Sequence, residues 1–267
     1  MLSLFSRLTG LWARSPSFAE HEWRHAIAAL PQFAGFSESE LDVLRALAQK
    51  FLKDKAIEPV GGLQLTTDML LRIALLACLP ILKLDLSYYR NWYAVVVYPS
   101  GFVAEHEYIA DDGTVHVEHG PLAGEAWERG PVIVSWEDIE AATTLDGFNV
   151  VIHEFAHKLD MLQGSCNGLP PLHKGMTVDA WSTAFSRAFD DFNLRVDTEE
   201  DLPIDAYAAE SPAEFFAVLS EAFFEIPDAL LRLYPAVYAQ LSLFYRQDPA
   251  VRLSPQRHSS LSSGHGL

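Results

Sequence analysis

The stretch Asn149-Val150-Val151-Ile152-His153-Glu154-Phe155-Ala156-His157-Lys158-Leu159-Asp160 decides how the rest of the chain is read. It contains the pattern H-E-x-x-H. On an α-helix, positions i and i+4 lie on one face, a turn apart. Both imidazoles can therefore reach a single tetrahedral ion at about 2.0–2.1 Å. Glu154 can point at a water in an open position of that ion, an arrangement that makes a nucleophile near neutral pH. Val150, Val151, Ile152, Phe155 and Ala156 make the flanks apolar, so the helix is expected to be buried. Two imidazoles and a carboxylate are costly there unless they serve a purpose. The competing reading is a buried polar trio satisfied by hydrogen bonds alone.

A catalytic zinc site needs a third protein ligand and an open fourth position. Asp stands at 160 and Gln at 163, so an extension carrying Gly and a third His is absent. A later helix supplies candidates. Ser211-Pro212-Ala213-Glu214-Phe215-Phe216 opens it, and Glu214 and Glu221, seven residues apart, share a face. Ser211 and Glu214 also read as an S-x-x-E capping box, with Pro212 at the first helical position. Spacing alone leaves ligation and capping by Glu214 equally open, with Glu221 as rival ligand or outer partner. Asp160, three residues past His157, either accepts the free N–H of a ligand imidazole or faces solvent. His106, His116, His119 and His173 lack partners at recognisable spacing and read as surface or structural residues.

Composition bounds the possibilities. A chain of 267 residues, 49% hydrophobic, can build a substantial core; one domain is expected over residues 1–253, followed by a Ser/Gly-rich, disordered tail at 254–267. The net charge of −17 repels phosphate backbones and argues against nucleic acid as a direct ligand. Cys78 and Cys166 are the only cysteines, which excludes a disulfide framework and a Cys-rich zinc site and fits a reducing, cytoplasmic compartment. Met1 to Arg14 lacks a long apolar run, because Arg7 and Arg14 interrupt it, and reads as a short amphipathic helix rather than a signal peptide. Met69 to Leu84 is strongly apolar. Arg72, Pro80 and Lys83 break it below the roughly 20 residues needed to span a bilayer, so a buried helix is expected and no membrane span.

The remaining elements follow from periodicity. Helices are expected over Phe18 to Leu30, from Ser37 to about Leu52 with Glu40 completing a capping box, and from Thr66 or Thr67 to near Pro80. Lys53 to Leu63 reads as a connection. Trp92 to Tyr98, Thr114 to Glu118 and Pro131 to Trp136 have strand character and together suggest a small twisted sheet. Helices then follow over Asn149 to Leu162, Ala180 to Leu194, Ser211 to Phe224 and Ala229 to Phe244, with an irregular loop from Cys166 to Thr177. Helices, then a sheet, then a mainly helical C-terminal lobe make an α+β fold. Pro131 cannot donate a ladder hydrogen bond, which suits an edge strand. Val132 to Ser135 could then pair with the backbone of an extended peptide; the alternative is an internal strand paired on both sides.

Several separated blocks, in one order, carry a resemblance: Leu76 to Leu82, Tyr98-Pro99-Ser100-Gly101-Phe102, Gly130 to Asp138, His153 to Asp160, and Ser211 to Ala217. Across about Phe18 to Tyr245 the chain resembles the Mlc titration factor A family, zinc peptidases also called DgsA anti-repressors. Its H-E-F-A-H-x-x-D helix is also similar to that of the anthrax lethal factor catalytic domain. In both a Tyr precedes the third-ligand Glu by seven residues, as Tyr207 precedes Glu214 here. The resemblance implies a zincin-like metallopeptidase fold of the gluzincin kind, with one Zn2+ held by His153, His157 and Glu214. It implies Glu154 as catalytic base and Tyr207 as oxyanion stabiliser, against the alternative of Tyr207 as an ordinary loop aromatic. It further implies a cytosolic, aminopeptidase-like enzyme acting on peptides, and for some members binding of an Mlc-type repressor protein. A regulatory protein in which peptidase activity is secondary, and a non-peptidase zinc hydrolase, are the rival functions.

Overall fold

Helix α5 (Val150–Asp160) is held between a three-stranded sheet and a long buried helix, α7 (Pro212–Glu225). The computed structural model describes residues 18–100, 106–109, 115–118 and 130–254, the two short runs as backbone. Expectations for Met1 to Arg14, for His119, for the side chains of His106 and His116, and for the tail beyond Ser254 fall outside them. No helix among the described residues is long and apolar enough to cross a membrane.

The N-terminal helices form where their caps place them. Helix α1 spans Glu20–Ala28. Helix α2 (Glu38–Asp54) starts at Ser37, whose Oγ accepts the Glu40 N–H (3.3 Å) while the Ser37 N–H donates to Glu40 Oε2 (3.1 Å). This reciprocal pair satisfies two of the donors a helix start leaves orphaned. Helix α3 (Thr67–Cys78) is capped by Thr66, whose Oγ1 accepts the Met69 N–H at 3.2 Å. From Ile73 to Cys78 it is fully buried, as its apolar run requires.

Strands β1 (Ala56–Pro59), β2 (Ala94–Tyr98) and β5 (Val132–Ser135) form a parallel sheet in the order β1-β2-β5, with Val96 opposite both Glu58 and Ile133. Strands β3 (His106–Ile109) and β4 (Val115–Glu118) pair antiparallel in a separate two-stranded sheet. The expectation of one small sheet is therefore corrected to two. Strand β1 lies inside the stretch read as a connection. Three of its four residues are exposed and one is half-buried, so it shows no apolar alternation for periodicity to detect. Among the described residues β5 pairs with β2 alone, so it lies at the edge of the described sheet, the position that Pro131 favoured.

Helix α4 (Trp136–Ala141) follows β5 directly, with Ser135 Oγ accepting the Asp138 N–H at 3.2 Å. Helix α6 spans Val178–Asp197, and a single 3-10 turn, Ala206–Ala209, precedes α7. The helix expected over Ala229 to Phe244 is two: α8 (Pro227–Leu233) and α9 (Pro235–Tyr245). Pro235 has no N–H and disfavours helical backbone at Tyr234 (φ −131°, ψ 67°), so the chain turns there. A short α10 (Pro249–Leu253) ends the described chain.

One buried core runs from Trp23 to Ala250. Phe155 of α5 sits among Phe51, Tyr89 and Trp92 at ring-centroid distances of 5.7, 5.0 and 5.5 Å. Burying such a ring contributes on the order of 1.5–3 kcal/mol, and this cluster sets the rotation of α5 about its axis. On α7, Phe216 packs against Trp181 and Phe244, and Phe215 against Phe185, Phe189 and Phe192. With the aromatic face of each helix fixed, the opposed polar residues must meet in the space between them.

Candidate metal centre

Helices α5 and α7 run antiparallel and present matched polar stripes. Asn149, His153 and His157 recur every four residues on one helix, and Glu225, Glu221 and Glu214 occupy one face of the other. The pairing is offset but ordered. His157 Nε2 lies 3.2 Å from Glu214 Oε2, and His153 Nε2 lies 3.1 Å from the same oxygen. His153 Nδ1 lies 2.8 Å from Glu221 Oε1. The Asn149 N–H donates to Glu221 Oε2 at 2.5 Å, and Asn149 Nδ2 donates to Glu225 Oε1 at 2.8 Å.

Three donor atoms converge at one end of this ladder. His153 Nε2, His157 Nε2 and Glu214 Oε2 form a triangle with edges of 3.2, 3.1 and 3.2 Å. Ligands placed about 2.0–2.1 Å from a tetrahedral ion sit about 3.3–3.4 Å apart, so the triangle has the size of one face of such a site. The donor set, two imidazole nitrogens and a carboxylate oxygen, suits zinc. Among the described residues this trio is the one group of His, Cys, Asp and Glu gathered closely enough to hold a metal ion.

The charges respond to this crowding. Burial opposes a charge on His153, but its hydrogen bonds to Glu214 and Glu221 outweigh it and hold its pKa up at about 10. Burial likewise works against an ionised Glu214, yet the imidazoles of His153 and His157 pull its pKa down to about 2. The trio is drawn together as a carboxylate between two imidazoles. Metal entry would displace the proton on His153, since a ligand nitrogen must be free.

Each imidazole is oriented from behind. Glu221, 2% exposed, takes His153 Nδ1 and leaves Nε2 facing the centre, which fits the outer-partner reading of Glu221 over the rival-ligand one. Behind His157 the contact is Cys166 Sγ, 3.5 Å from Nδ1. Asp160 is fully buried, which excludes the solvent-facing alternative. One of its oxygens accepts the Gly168 N–H at 2.6 Å, and neither His153 nor His157 is its hydrogen-bond partner. Its ionisation is disfavoured by burial, against the opposing hydrogen bond from Gly168. Gly168, at φ +79°, passes so close to α7 that a Cβ would meet Pro212 O at 2.4 Å. The loop and the start of the Glu214 helix are thereby locked together.

Ser211 Oγ accepts the Glu214 N–H at 3.2 Å, but the Glu214 carboxylate turns to the imidazoles rather than back to the cap. Half of the expected capping box is made, and the side-chain half is not. Glu154 is half-buried on the same turn as His153. The Tyr207 ring lies 6.1 Å from the His153 ring and is 47% exposed. Burial, with the carboxylates of Glu214, Glu210 and Glu154, pushes its pKa up to about 12, so the phenol stays a donor at neutral pH. His173 is structural, as expected: Nε2 bonds Phe244 O at 2.7 Å and the ring stacks on Phe244. Asn149, Glu225, Gln32 and Cys166 were not singled out from the sequence. The 214, 221, 225 spacing of acidic residues along one helix face was the available signal for Glu225.

An α+β protein that gathers an HExxH histidine pair and a helix-borne glutamate around one point belongs to the class of candidate metal-dependent hydrolases. The model of the glucose-regulated metallo-peptidase M90 family matches residues 6–246. Relatives named Mlc titration factor A include one from Serratia proteamaculans (strain 568), 41% identical over 87% of this chain and 89% of its own. Another, from Yersinia enterocolitica serotype O:8 / biotype 1B, is 39% identical over 94% of this chain and 95% of its own. A third, from Yersinia pestis (strain Pestoides F), is 39% identical over 93% of both. The chain belongs to the glucose-regulated metallo-peptidase M90 family.

Proposed function

We propose that this protein is a zinc peptidase of zincin-like, gluzincin-type architecture that hydrolyses peptide bonds in the cytoplasm. The observation that carries the reading is the triangle of His153, His157 and Glu214 with edges of 3.1–3.2 Å, and those residues would hold the ion. Bound zinc would supply Lewis acidity, lowering the pKa of a water and polarising a peptide carbonyl. Glu154 is the base that takes the proton from the attacking water and returns it to the leaving amine. Tyr207 donates its O–H to the oxyanion that develops on the carbonyl. Strand β5, at the edge of the described sheet and packed beside α5, offers its backbone to an extended peptide over Val132 to Ser135. The core that runs from Trp23 to Ala250 supports a single-domain organisation, and the two free cysteines fit a reducing compartment. Aminopeptidase-like specificity rests on the family resemblance.

The test is metal analysis of the purified protein joined to a fluorogenic peptide panel that includes free-amine substrates. About one zinc per chain and hydrolysis abolished by chelation are expected. Full activity in metal-free protein would refute the reading, and activity on blocked peptides alone would remove the aminopeptidase assignment.

The relatives' name favours a second role, binding of an Mlc-type repressor. Mixing the protein with that repressor on its operator DNA tests it, because titration releases the DNA. Glu154→Gln separates the roles: titration that survives loss of hydrolysis shows two independent functions.

A further inference from the structure

The polar ladder between α5 and α7 continues past the ligands. Glu221 engages both of its carboxylate oxygens, Oε1 with His153 Nδ1 (2.8 Å) and Oε2 with the Asn149 N–H (2.5 Å). The ring orientation of His153 thus depends on where Asn149 holds its backbone. Asn149 is itself tied in two directions. Its Oδ1 accepts the Ile152 N–H at 3.1 Å, capping α5, and its Nδ2 donates to Glu225 Oε1 at 2.8 Å. The same Glu225 oxygen accepts Gln32 Nε2 at 2.8 Å, and Gln32 Nε2 also reaches Ala142 O at 3.0 Å. Gln32, Asn149, Glu221 and Glu225 are 0, 0, 2 and 1% exposed. Asn149 Oδ1 and Nδ2, Gln32 Nε2 and Glu225 Oε1 all make their bonds, whereas Gln32 Oε1 and Glu225 Oε2 have no protein partner; the connected part is stiffer than its members.

We propose that Asn149, held by Glu225 and Gln32, is the positioning residue of the metal centre: it sets Glu221 and through it the His153 imidazole, without touching the ion. The proposal rests on the ligand set of the preceding section. A bland alternative exists, in which the four side chains fill space between helices and the centre would be the same without them. The two differ in what the removal of a single amide donor does. Asn149→Ser retains an N-cap oxygen, since Ser caps as well as Asn, but its shorter side chain lacks the amide Nδ2 that reaches Glu225. Glu225→Gln keeps the accepting oxygen that Asn149 and Gln32 use, whereas Glu225→Leu removes it. Gln32→Leu loosens Glu225 from the far side and leaves the α5 cap alone.

The experiment measures zinc affinity by competition with a chromophoric chelator. The visible absorption of the Co2+-substituted protein reports ligand geometry, and the melting temperature of the metal-free protein reports folding. Asn149→Ser and Glu225→Leu are expected to weaken zinc by up to about tenfold, the low end of the effect of losing the group bonded directly to a ligand imidazole, because Glu221 remains but is held less firmly, and to change the Co2+ spectrum. Glu225→Gln is expected to match wild type in both. Gln32→Leu carries the test if either disruptive variant fails to fold, with a loss in the same direction. Wild-type affinity and an unaltered Co2+ spectrum in the folded disruptive variants would overturn the proposal and leave the network as packing. His153→Ala serves as the control on the ligand set: if it binds zinc as tightly as wild type, the ligand assignment falls and the positioning role with it. Loss of zinc in His153→Ala but not in Asn149→Ser isolates the failure to the present proposal.

Discussion

Glu154 shares a helical turn with His153, yet its carboxylate is not among the three groups that converge. Glu154→Gln is therefore expected to keep the metal and lose hydrolysis by about 10²–10⁴-fold, the span of general-base contributions; wild-type turnover in this variant would assign the base elsewhere. Glu214 and Glu221 lie on one helix face but do different things. Glu214 Oε2 contacts both imidazoles, whereas Glu221 stands behind one. Glu214→Gln should release zinc far more readily than Glu221→Gln in a chelator-competition assay, and equal retention would return Glu214 to a capping role. Tyr207 is far enough into solvent for its hydroxyl to be lost without disturbing the core. Tyr207→Phe should lower kcat by about 10²-fold, as loss of one oxyanion donor does, with little change in KM or zinc content. An unchanged kcat would make it a surface aromatic.

At the scale of elements, the site is the seam between two antiparallel helices, each pinned by its own aromatic face. The start of α7 matters because Glu214 sits in its first turn. Ser211→Ala removes the acceptor for the Glu214 N–H and should cost about 1 kcal/mol of stability, measured by urea denaturation of the metal-free protein. Zinc affinity should fall less than in Glu214→Gln, because the Glu214 carboxylate itself remains. A zinc loss as large as that of Glu214→Gln would show that the cap, and not the carboxylate, governs the centre. Pro212 contributes here as well, since a fixed backbone angle at the first helical position pre-forms this turn.

At the scale of the whole molecule, the buried ladder carries a pH signature. Burial pushes the Glu225 carboxyl up to about 8, against its hydrogen bonds from Gln32 and Asn149 and with help from the nearby charges of Asp146 and Glu221. Between the ordinary carboxyl range and that value, the folded chain keeps a proton that the unfolded chain has released. Folding then binds protons, so this group's contribution to stability falls as pH rises through that window and levels off above it. Glu225→Gln, which cannot ionise, should flatten the decline. Relative to wild type it should gain roughly 1 kcal/mol or more between about pH 5 and pH 8 in chelator-treated protein, since a tenfold change in proton affinity is worth about 1.4 kcal/mol. Parallel curves for the two proteins would show Glu225 to be ionised at neutral pH.

The sequence by itself determined those features whose physics is local. The helical face of His153 and His157, the Ser37–Glu40 capping box, the Thr66 cap and the burial of α3 all follow from spacing within a turn or two. Pro131 favoured an edge position for β5 without deciding it, because a missing N–H is a property of one residue whereas pairing depends on distant strands. Tertiary structure alone decided the rest. β1 carries no periodicity, since the sheet buries little of it, and the division into two sheets depends on pairing between distant segments. Whether Glu214 capped or converged could not follow from Ser-x-x-Glu spacing, because both roles need the same letters. What settled its direction was the packing of α7 against α5, which leaves the carboxylate opposite two imidazoles. The 214, 221, 225 spacing placed Glu225 on the right helix face, but its pairing with Asn149 and Gln32 was invisible, because Gln32 and Glu225 stand 193 residues apart and meet only when the core between them closes.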